Sequence, residues 1–294
     1  MTKLLSNYLK EKKQWVDTIM PSYIEKIEAP EIIKESMIYS LNAGGKRIRP
    51  ILLFATLQAF GKDEKLGLDV ACALEMIHTY SLIHDDLPSM DDDDLRRGKP
   101  TNHKVYGEAI AILAGDGLLT HSFEIVAKSK ELSDSLKANI IAFLAQAAGP
   151  GGMVGGQVAD LLGEHKDLNV EELEYIHEHK TGKLLRFAVV AGAIISGATK
   201  EQQECLDQFA RHLGLVFQIK DDILDIEGNE EQIGKPVGSD VGKDKSTYPK
   251  LLTLDGAKQK CNDHLNQAKA WLEKANVDSD LLLEIADYIV NRDH

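Results

Sequence analysis

The sequence of 294 residues predicts an all-α protein built as one large helical bundle. Apolar residues recur with the helical period along most of the chain, whereas the alternating pattern of half-buried strands is scarce. There are eight prolines, and no linker-like tract divides the chain. We therefore expect a single domain over residues 1–294, with room for roughly ten helices of ordinary length.

Clusters of glycine and proline predict where these helices end. The last cluster, over 228–249, contains four glycines and two prolines and is predicted to be an ordered functional loop. A charged, amphipathic helical tail is predicted to follow it. The predicted breaks fall near 43–45, 88–100, 149–152, 163–169 and 228–249.

The composition excludes several classes of protein. A formal net charge of −13 makes nucleic acid a poor partner, although local basic clusters at 46–49 and 96–99 suit a small polyanion. Three widely spaced cysteines argue against a disulfide framework or a zinc site and favour a reducing cytoplasm. The most membrane-like stretch is 187–198, which is too short to span a bilayer, so we expect no stable membrane insertion.

The sharpest functional signal is an acidic cluster on a helix predicted over 212–226. This segment is apolar almost all round, which is typical of a buried helix. Gln218, Asp221, Asp222 and Asp225 nevertheless share one face of it. Carboxylates crowded on a buried face repel one another and are costly to desolvate, and a divalent cation relieves both effects. Oxygen ligands favour Mg²⁺ or Ca²⁺ over zinc; the alternative is a helix end whose acids are simply solvated.

Another acidic run follows the helix predicted over 71–87. Asp85 and Asp91 are six residues apart, and a straight helix would separate them by about 120° around its axis. Pro88 must kink or end the helix between them, so the chain can bring Asp91 back beside Asp85. Two such clusters suggest a site that holds a diphosphate through Mg²⁺, which commonly binds a few carboxylates together with substrate phosphates. The alternative is a solvated acidic turn, and that interpretation explains residues 92–94 without any role in metal binding.

Basic residues are placed to complete such a site. Gly44 and Gly45 interrupt a helix, and the turn that opens the next helix is crowded with Lys46, Arg47 and Arg49. Cations and backbone N–H groups at a helix start suit phosphate oxygens. For this segment taken alone, a solvated turn is an equally good interpretation.

Two further basic segments have weaker signals. Arg96 and Arg97 directly follow the first acidic run, where an ion-pair network within the loop is the alternative. Lys180 and Thr181 lie inside a helical pattern, where the lysine can bind phosphate and the threonine hydroxyl can face an apolar cavity. Without the other motifs, ordinary helix surface is the favoured interpretation of Lys180 and Thr181.

The glycine-rich segment 149–157 is not a dinucleotide-binding loop. It lacks the required glycine spacing, and the segment before it is predicted to be helical rather than a strand. Its glycines are predicted to allow close helix packing and to leave room for a substrate. Gln157 and Asp160 are one helical turn apart, and the prediction that they face the same site has only weak support.

Taken in order, these motifs resemble the trans-prenyltransferase (polyprenyl synthetase) family, and most of all its bacterial farnesyl diphosphate synthases. The four residues between the acids of the first motif resemble the bacterial form. The matching segments are Gly44-Gly45-Lys46-Arg47-x-Arg49-Pro50, Asp85-Asp86-x4-Asp91, Arg96-Arg97-Gly98, Gly156-Gln157, Lys180-Thr181-Gly182, Gln218-x2-Asp221-Asp222-x2-Asp225 and Gly234-Lys235-Pro236.

The resemblance implies a helical bundle of the isoprenoid synthase type with a central substrate cavity. It implies a cytoplasmic enzyme, usually a homodimer, that condenses isopentenyl diphosphate with allylic diphosphates. Three Mg²⁺ ions are expected in each site. The residues expected to bind them are Asp85, Asp86, Asp91, Asp221, Asp222 and Asp225.

The resemblance also assigns the basic and polar residues to substrates. Those expected to hold the allylic diphosphate are Arg96, Lys180 and Lys235. Those expected to hold isopentenyl diphosphate are Lys46, Arg49, His78 and Arg97. Thr181 and Gln218 are expected to border the reacting carbons, and the expected catalytic set is Arg96, Lys180, Thr181 and Gln218.

The implied reaction is ionisation of the allylic diphosphate, attack by the isopentenyl double bond and loss of a proton. Tyr80, five residues before Asp85, resembles the aromatic residue that stops chain growth at C15, whereas Ser81 is too small to block a prenyl tail. Ordinary interhelix packing is the alternative role for Tyr80, and Tyr80 is rotated off the Asp85 face of the helix. Farnesyl diphosphate is therefore the expected main product.

The sequence leaves four alternative functions. A geranylgeranyl diphosphate synthase would differ only in product length. A class I terpene cyclase usually pairs one aspartate-rich motif with an Asn/Ser/Glu-type motif, and a non-catalytic synthase subunit would be expected to lose metal ligands. A cation-buffering protein would not need basic clusters beside its acids. The sequence alone does not fix product length or primer preference.

Overall fold

The computed structural model describes residues 2–164, 166–227 and 246–292, and it confirms the predicted all-α class. Two short strands, β1 (Leu95–Arg96) and β2 (Lys99–Pro100), pair antiparallel. A 3₁₀ turn covers Glu64–Gly67 and a π-helical segment covers Glu178–Gly182. The helices are α1 (Lys3–Glu25), α2 (Glu31–Leu41), α3 (Ile48–Ala59), α4 (Leu68–Asp85), α5 (Asn102–Tyr106), α6 (Glu108–Lys128), α7 (Asp134–Ala148), α8 (Met153–Gly163), α9 (Val170–His177), α10 (Lys183–Ser196), α11 (Lys200–Glu227), α12 (Tyr248–Lys274) and α13 (Asp280–Asn291).

The described residues group into two compact units. The N-terminal unit contains residues 2–54 and 64–141, and the C-terminal unit contains 55–63 and the described part of the chain from 142 onward. One boundary falls inside α3, another inside α7, and the third between residues 63 and 64, at the start of the 3₁₀ turn. A single domain over 1–294 stays a prediction.

Local sequence signals explain several helix ends. The hydroxyl of Thr2 accepts a hydrogen bond from the backbone N–H of Leu5 and caps α1. Asn169 and Glu172 form a reciprocal capping box at the start of α9. Gly197 adopts the left-handed conformation that ends α10, with φ of 80°. These ends are therefore fixed by side-chain chemistry as well as by packing.

In the N-terminal unit, α4 is the central core helix, and every residue from Val70 to Ile77 is buried. α6 packs against α4, and its buried residues Ala111, Ala114, Gly115 and Leu118 recur at helical spacing. Small residues on a helix face allow two helices to approach closely. This packing holds the C-terminal end of α4, where the first acidic run begins.

In the C-terminal unit, α11 packs against α10, α12 and α13. Its buried face includes Leu206, Phe209, Leu213 and Val216, which follow the helical period. α12 is kinked at Thr253, where φ is 65°. The acidic end of α11 is thus carried on a well-packed helix.

Two helical stretches are long and apolar enough to cross a membrane by length and composition alone. Glu64–Asp85 has a mean hydropathy of 1.3 and Glu108–Lys128 has 1.4. The identification of 187–198 as the most membrane-like stretch was therefore wrong, because apolar residues of α4 and α6 extend further. Within the protein, 67% of the first stretch and 39% of the second are buried. A buried core helix passes the same test, so this is weak evidence for a membrane span.

Candidate active-site clusters

The first acidic cluster, residues 85–94, begins where α4 ends. The backbone N–H of Asp91 donates to the carbonyl oxygen of Asp85 at 2.9 Å, and that of Asp92 donates to Leu87 at 3.1 Å. Asp92 has a positive φ of 50°, which an aspartate tolerates better than most residues. The predicted turn after Pro88 is confirmed, because these bonds return the chain so that Asp91 comes back to Asp85.

Asp86, the residue after Asp85, is buried and only 3% exposed. The Nε of Arg96 donates to its two carboxylate oxygens at 2.7 and 2.9 Å, and a guanidinium Nη2 also contacts it. Burial raises the pKa of Asp86, and the Arg96 guanidinium partly offsets that effect. Asp86 and Arg96 therefore form a buried ion pair at the first acidic cluster.

The two basic clusters meet in the N-terminal unit. Arg97 donates to the carbonyl oxygen of Gly44, and Lys99 Nζ donates to that of Asn42 at 3.1 Å. Gly45 has φ of 133°, and a Cβ there would lie 2.7 Å from a guanidinium nitrogen of Arg97. The lack of a side chain at Gly45 thus admits the guanidinium of Arg97 against the turn that starts α3, and the Gly44 carbonyl oxygen accepts its hydrogen bond.

Arg47 has a structural role that distinguishes it from its basic neighbours. It is 3% exposed, and its guanidinium donates to Asp17 at 2.7 Å, to Glu75 at 2.8 Å and to the Leu41 carbonyl at 2.6 Å. Lys46 and Arg49, two of the four residues expected to bind isopentenyl diphosphate, are only partly buried. Residue type and spacing alone did not separate Arg47 from these two cations; the family resemblance gave Arg47 no role.

His78 lines a small cavity of about 30 Å³ together with Arg96 and Arg97. Burial, with the nearby guanidinium groups of Arg49, Arg97, Arg47 and Arg96, lowers the pKa of His78 well below its usual value. The imidazole is therefore neutral at pH 7, and the surrounding arginines favour an anionic ligand.

The second acidic cluster, Asp221, Asp222 and Asp225, lies near the end of α11. Asp222 is 6% exposed and accepts a hydrogen bond at 2.9 Å from the backbone N–H of Tyr248, the first residue of α12. Asp221 accepts a hydrogen bond from Arg292, which follows α13. The two neighbouring acids thus have different partners although they adjoin in sequence.

The guanidinium of Arg292 is held by more than Asp221. It is 5% exposed, donates to the carbonyl oxygen of Phe217 at 3.0 Å and lies 4.2 Å from the centre of the Phe217 ring. Sequence reasoning missed this residue, and no local pattern around it points to a role, because its partners are more than 70 residues away.

Lys180 and Thr181 lie in the π-helical segment of the C-terminal unit. Such segments are rare and often occur at functional sites. Lys180 Nζ donates to Asp160 at 2.7 Å. A Cβ on Gly156 would lie 2.1 Å from the Lys180 backbone nitrogen, so glycine is needed for α8 to approach this segment.

A cavity of about 140 Å³ brings most predicted residues of the C-terminal unit together. Its lining includes Lys180, Thr181, Gln218, Asp222 and Asp160. The weak prediction that Asp160 faces this site is supported by its contact with Lys180. Lys235, the other lysine expected at the allylic diphosphate, lies outside the described residues.

His177 also lines this cavity and was not predicted. Its Nε2 lies 3.9 Å from an Asp222 oxygen, and its ring stacks on Tyr248 at 5.6 Å. Burial lowers the pKa of His177 to about 4, so the ring is neutral at pH 7. Its position three residues before Lys180 was the one signal in the sequence that could have found it.

The two candidate chain-length residues lie on α4. Tyr80 is 6% exposed, burial raises its pKa to about 12, and its ring meets that of His84 edge to face at 5.7 Å between centroids. The hydroxyl of Ser81 donates to the His78 carbonyl oxygen at 2.8 Å. Tyr80 is thus a fixed, bulky group, whereas the hydroxyl of Ser81 is bonded to its own helix.

The donor chemistry fits Mg²⁺ that is shared with a substrate. In the ranges described here, no group of three or more His, Cys, Asp or Glu side chains is close enough to hold a metal ion alone. Mg²⁺ usually binds one or two carboxylates, several waters and substrate phosphates rather than a complete protein cage. The turn that joins Asp85 and Asp91 provides such an incomplete set of oxygen ligands.

Comparisons with known proteins agree with these motifs. Residues 30–288 match the Polyprenyl synthetase family. The chain is similar to the farnesyl diphosphate synthase of Geobacillus stearothermophilus, with 59% identity over 99% of this chain and 98% of that protein. It is 55% identical to the farnesyl diphosphate synthase of Bacillus subtilis (strain 168) over 100% of both chains.

A solved structure is similar to this chain in its fold. The apo structure of an FPP/GFPP synthase from Zymomonas mobilis is similar, with a TM-score of 0.88, 36% sequence identity and coverage of 99% of this chain and 100% of that one. The family match over residues 30–288 includes every motif segment from Gly44 to Pro236. This chain belongs to the polyprenyl synthetase family.

Proposed function

We propose that this protein is a prenyltransferase that condenses isopentenyl diphosphate with dimethylallyl and geranyl diphosphates to give mainly farnesyl diphosphate. The observation that carries the proposal is the turn that joins Asp85 and Asp91 beside an arginine-rich cavity. The carboxylates can share a metal ion with one diphosphate, and the neighbouring arginines can bind a second. This arrangement suits a reaction between two diphosphates.

Magnesium, when bound, would neutralise the departing diphosphate and so assist cleavage of the allylic C–O bond. Three ions are proposed, held by the six aspartates of the two acidic clusters. Lys180, released from Asp160, and Arg96, released from Asp86, add positive charge at the allylic diphosphate, and Lys235 is proposed to join them. Positively charged side chains held at the diphosphate stabilise the negative charge that develops on it as the C–O bond breaks.

Isopentenyl diphosphate is proposed to bind at the arginine-rich turn. Lys46, Arg49 and Arg97 supply positive charge there. The imidazole of His78 donates a hydrogen bond while it stays uncharged. The isopentenyl double bond then attacks the allylic cation, so that a C–C bond replaces the broken C–O bond. The released diphosphate accepts the proton whose loss restores the alkene. Thr181 and Gln218 are proposed to border the reacting carbons and to exclude water, which would otherwise quench the cation.

The product is proposed to be C15 because the Tyr80 ring would stop the growing tail. A geranylgeranyl diphosphate synthase remains the second candidate, and the Zymomonas mobilis relative is an FPP/GFPP synthase, so product length varies among similar proteins. A class I terpene cyclase and a non-catalytic subunit fit less well, since both acidic clusters are complete.

The active form is proposed to be a cytoplasmic homodimer. Ile112 and Leu113 on α6 are 43% and 54% exposed, and adjacent exposed apolar residues are common at interfaces between subunits. Light scattering of the purified protein should give twice the chain mass of 32.5 kDa. A monomer that is fully active would contradict this part of the proposal.

Assay of the purified chain tests the proposed function directly. With Mg²⁺, isopentenyl diphosphate and either dimethylallyl or geranyl diphosphate, the expected product after dephosphorylation is farnesol. A cyclised hydrocarbon would indicate a terpene cyclase, and no product with any primer would indicate a non-catalytic subunit.

A further inference from the structure

The ring of His84 lies directly against the backbone of Gly115 on α6. A Cβ built on Gly115 would lie 2.1 Å from His84 Nε2 and 2.5 Å from Cδ2. Gly115 is buried within α6, and no positive φ requires a glycine there. The glycine is therefore needed for space, because any side chain would have to displace the His84 ring.

The ring is also held from two other sides. His84 Nε2 donates to the carbonyl oxygen of Ile112 at 3.0 Å, which anchors the ring to α6. On α4, Tyr80 is one helical turn before His84, and the two rings meet edge to face at 79°. His84 therefore connects α6 to Tyr80.

We propose that Gly115 and His84 determine product length by holding Tyr80 in the position that blocks the growing prenyl tail. This inference rests on the proposed function, in which Tyr80 stops the chain at C15. Tyr80 has two rotatable side-chain torsions, and contacts with its neighbours select the position of its ring. His84, fixed between Gly115 and Ile112, is the aromatic neighbour on the same helix face.

Gly115→Ala is the sharpest test, because it adds one methyl group at the contact. The methyl must push the His84 ring away from Ile112 and so remove support from Tyr80. Gly117→Ala is the matched control: it makes the same change two residues along α6, where the new Cβ would meet the flexible Met37 side chain at 3.0 Å. Both changes raise helix propensity equally.

Products are measured by mass spectrometry after dephosphorylation, together with total incorporation of isopentenyl diphosphate. The ratio of C20 to C15 product should rise about tenfold in Gly115→Ala, the discrimination expected from a small change in an apolar pocket. Gly117→Ala should retain the wild-type ratio. In a Tyr80→Ala background, Gly115→Ala should add no further shift, because both changes act through Tyr80.

An active Gly115→Ala enzyme with the wild-type product ratio would overturn the inference, as would a full additional shift in the Tyr80→Ala background. If Gly115→Ala does not fold, His84→Ala removes the ring without adding atoms and must give the same shift. An active His84→Ala enzyme with an unchanged ratio would overturn the inference equally. Failure of the proposed function would look different, since the wild type would then incorporate no isopentenyl diphosphate.

Discussion

The backbone N–H of Asp91 donates a hydrogen bond to the carbonyl oxygen of Asp85, with 2.9 Å between nitrogen and oxygen. This bond closes the turn after Pro88, so the approach of the two acids is set by the backbone. Asp92 and Asp94, which lie in the same acidic run, are exposed. Position in the turn, rather than charge alone, therefore distinguishes the proposed metal ligands from their neighbours.

Asp91→Asn and Asp92→Asn form a matched pair that tests this distinction. Asparagine keeps the size of the side chain and tolerates the positive φ at 92. Loss of a charged ligand in Asp91→Asn should lower kcat/KM by about 10²-fold. Asp92→Asn should stay within about twofold of wild type, as expected for a surface change. Steady-state kinetics would contradict the assignment if both variants fell equally.

Substitution of two cationic residues should affect the binding of different substrates. Arg49→Gln should raise the KM for isopentenyl diphosphate, and Lys180→Gln should raise that for the allylic substrate. Removal of one charged contact costs about 1.5–3 kcal/mol, or roughly 10- to 150-fold in affinity. The KM of each variant is measured for each substrate with the other saturating. Equal effects of each change on both substrates would refute the division.

Tyr80→Ala should lengthen the product. Removal of the ring opens the path of the growing tail, so C20 and longer products should replace C15 as the main species. Chromatography or mass spectrometry of dephosphorylated products measures the change, and Ser81→Ala serves as a neighbouring control that should retain C15. An active Tyr80→Ala enzyme with an unchanged product profile would place the floor of the pocket elsewhere.

Arg47 should matter for stability. Arg47→Met would leave Asp17 and Glu75 without their shared guanidinium, and breaking a buried ion pair costs about 3–5 kcal/mol. Urea unfolding measures the change in the free energy of unfolding, with Lys10→Met as the exposed control. A loss below about 1 kcal/mol would show that this network is replaceable.

Stability should fall as the pH drops from about 6.5 towards about 4. The buried ring of His212 shares an Nδ1···Nδ1 hydrogen bond of 3.0 Å with His264. Burial lowers the pKa of His212 from 6.5 to about 4, so between these values the unfolded chain binds a proton that the folded protein does not. Protons therefore favour the unfolded state across this window.

Urea midpoints at pH 7 and pH 5 measure this dependence. In His212→Gln the decrease in the free energy of unfolding between the two values should be smaller by up to about 2 kcal/mol, since one pKa unit corresponds to about 1.36 kcal/mol. His121→Gln, on another helix, is a histidine control. An identical pH dependence in wild type and His212→Gln would contradict the assignment.

Features set by local sequence could be predicted. The helical period gave the all-α class, and Gly44, Gly45 and Pro88 marked breaks that the structure contains. The small antiparallel pair around Gly98 was missed, because two residues on each side carry no strand pattern. The face shared by Gln218 and Asp222 was predicted because helical spacing is purely local.

Features set by distant contacts could not be predicted. Arg47 and Arg49 are two residues apart, yet only the contacts of Arg47 with Asp17 and Glu75 reveal its structural role. One partner of Asp221 is Arg292, 71 residues away, and no sequence pattern links them. Such pairings depend on the tertiary fold and leave no local pattern in the sequence.

The most direct test of the account is the rate of the double variant Asp85→Asn/Asp221→Asn, one change in each acidic cluster. Incorporation of isopentenyl diphosphate with geranyl diphosphate is measured with saturating Mg²⁺ and again with EDTA, while circular dichroism checks that the helices remain. Wild type should require Mg²⁺. The double variant, though folded, should be slower by about 10³-fold or more, since several kcal/mol of charge stabilisation are lost. A folded double variant with near wild-type turnover would contradict this prediction.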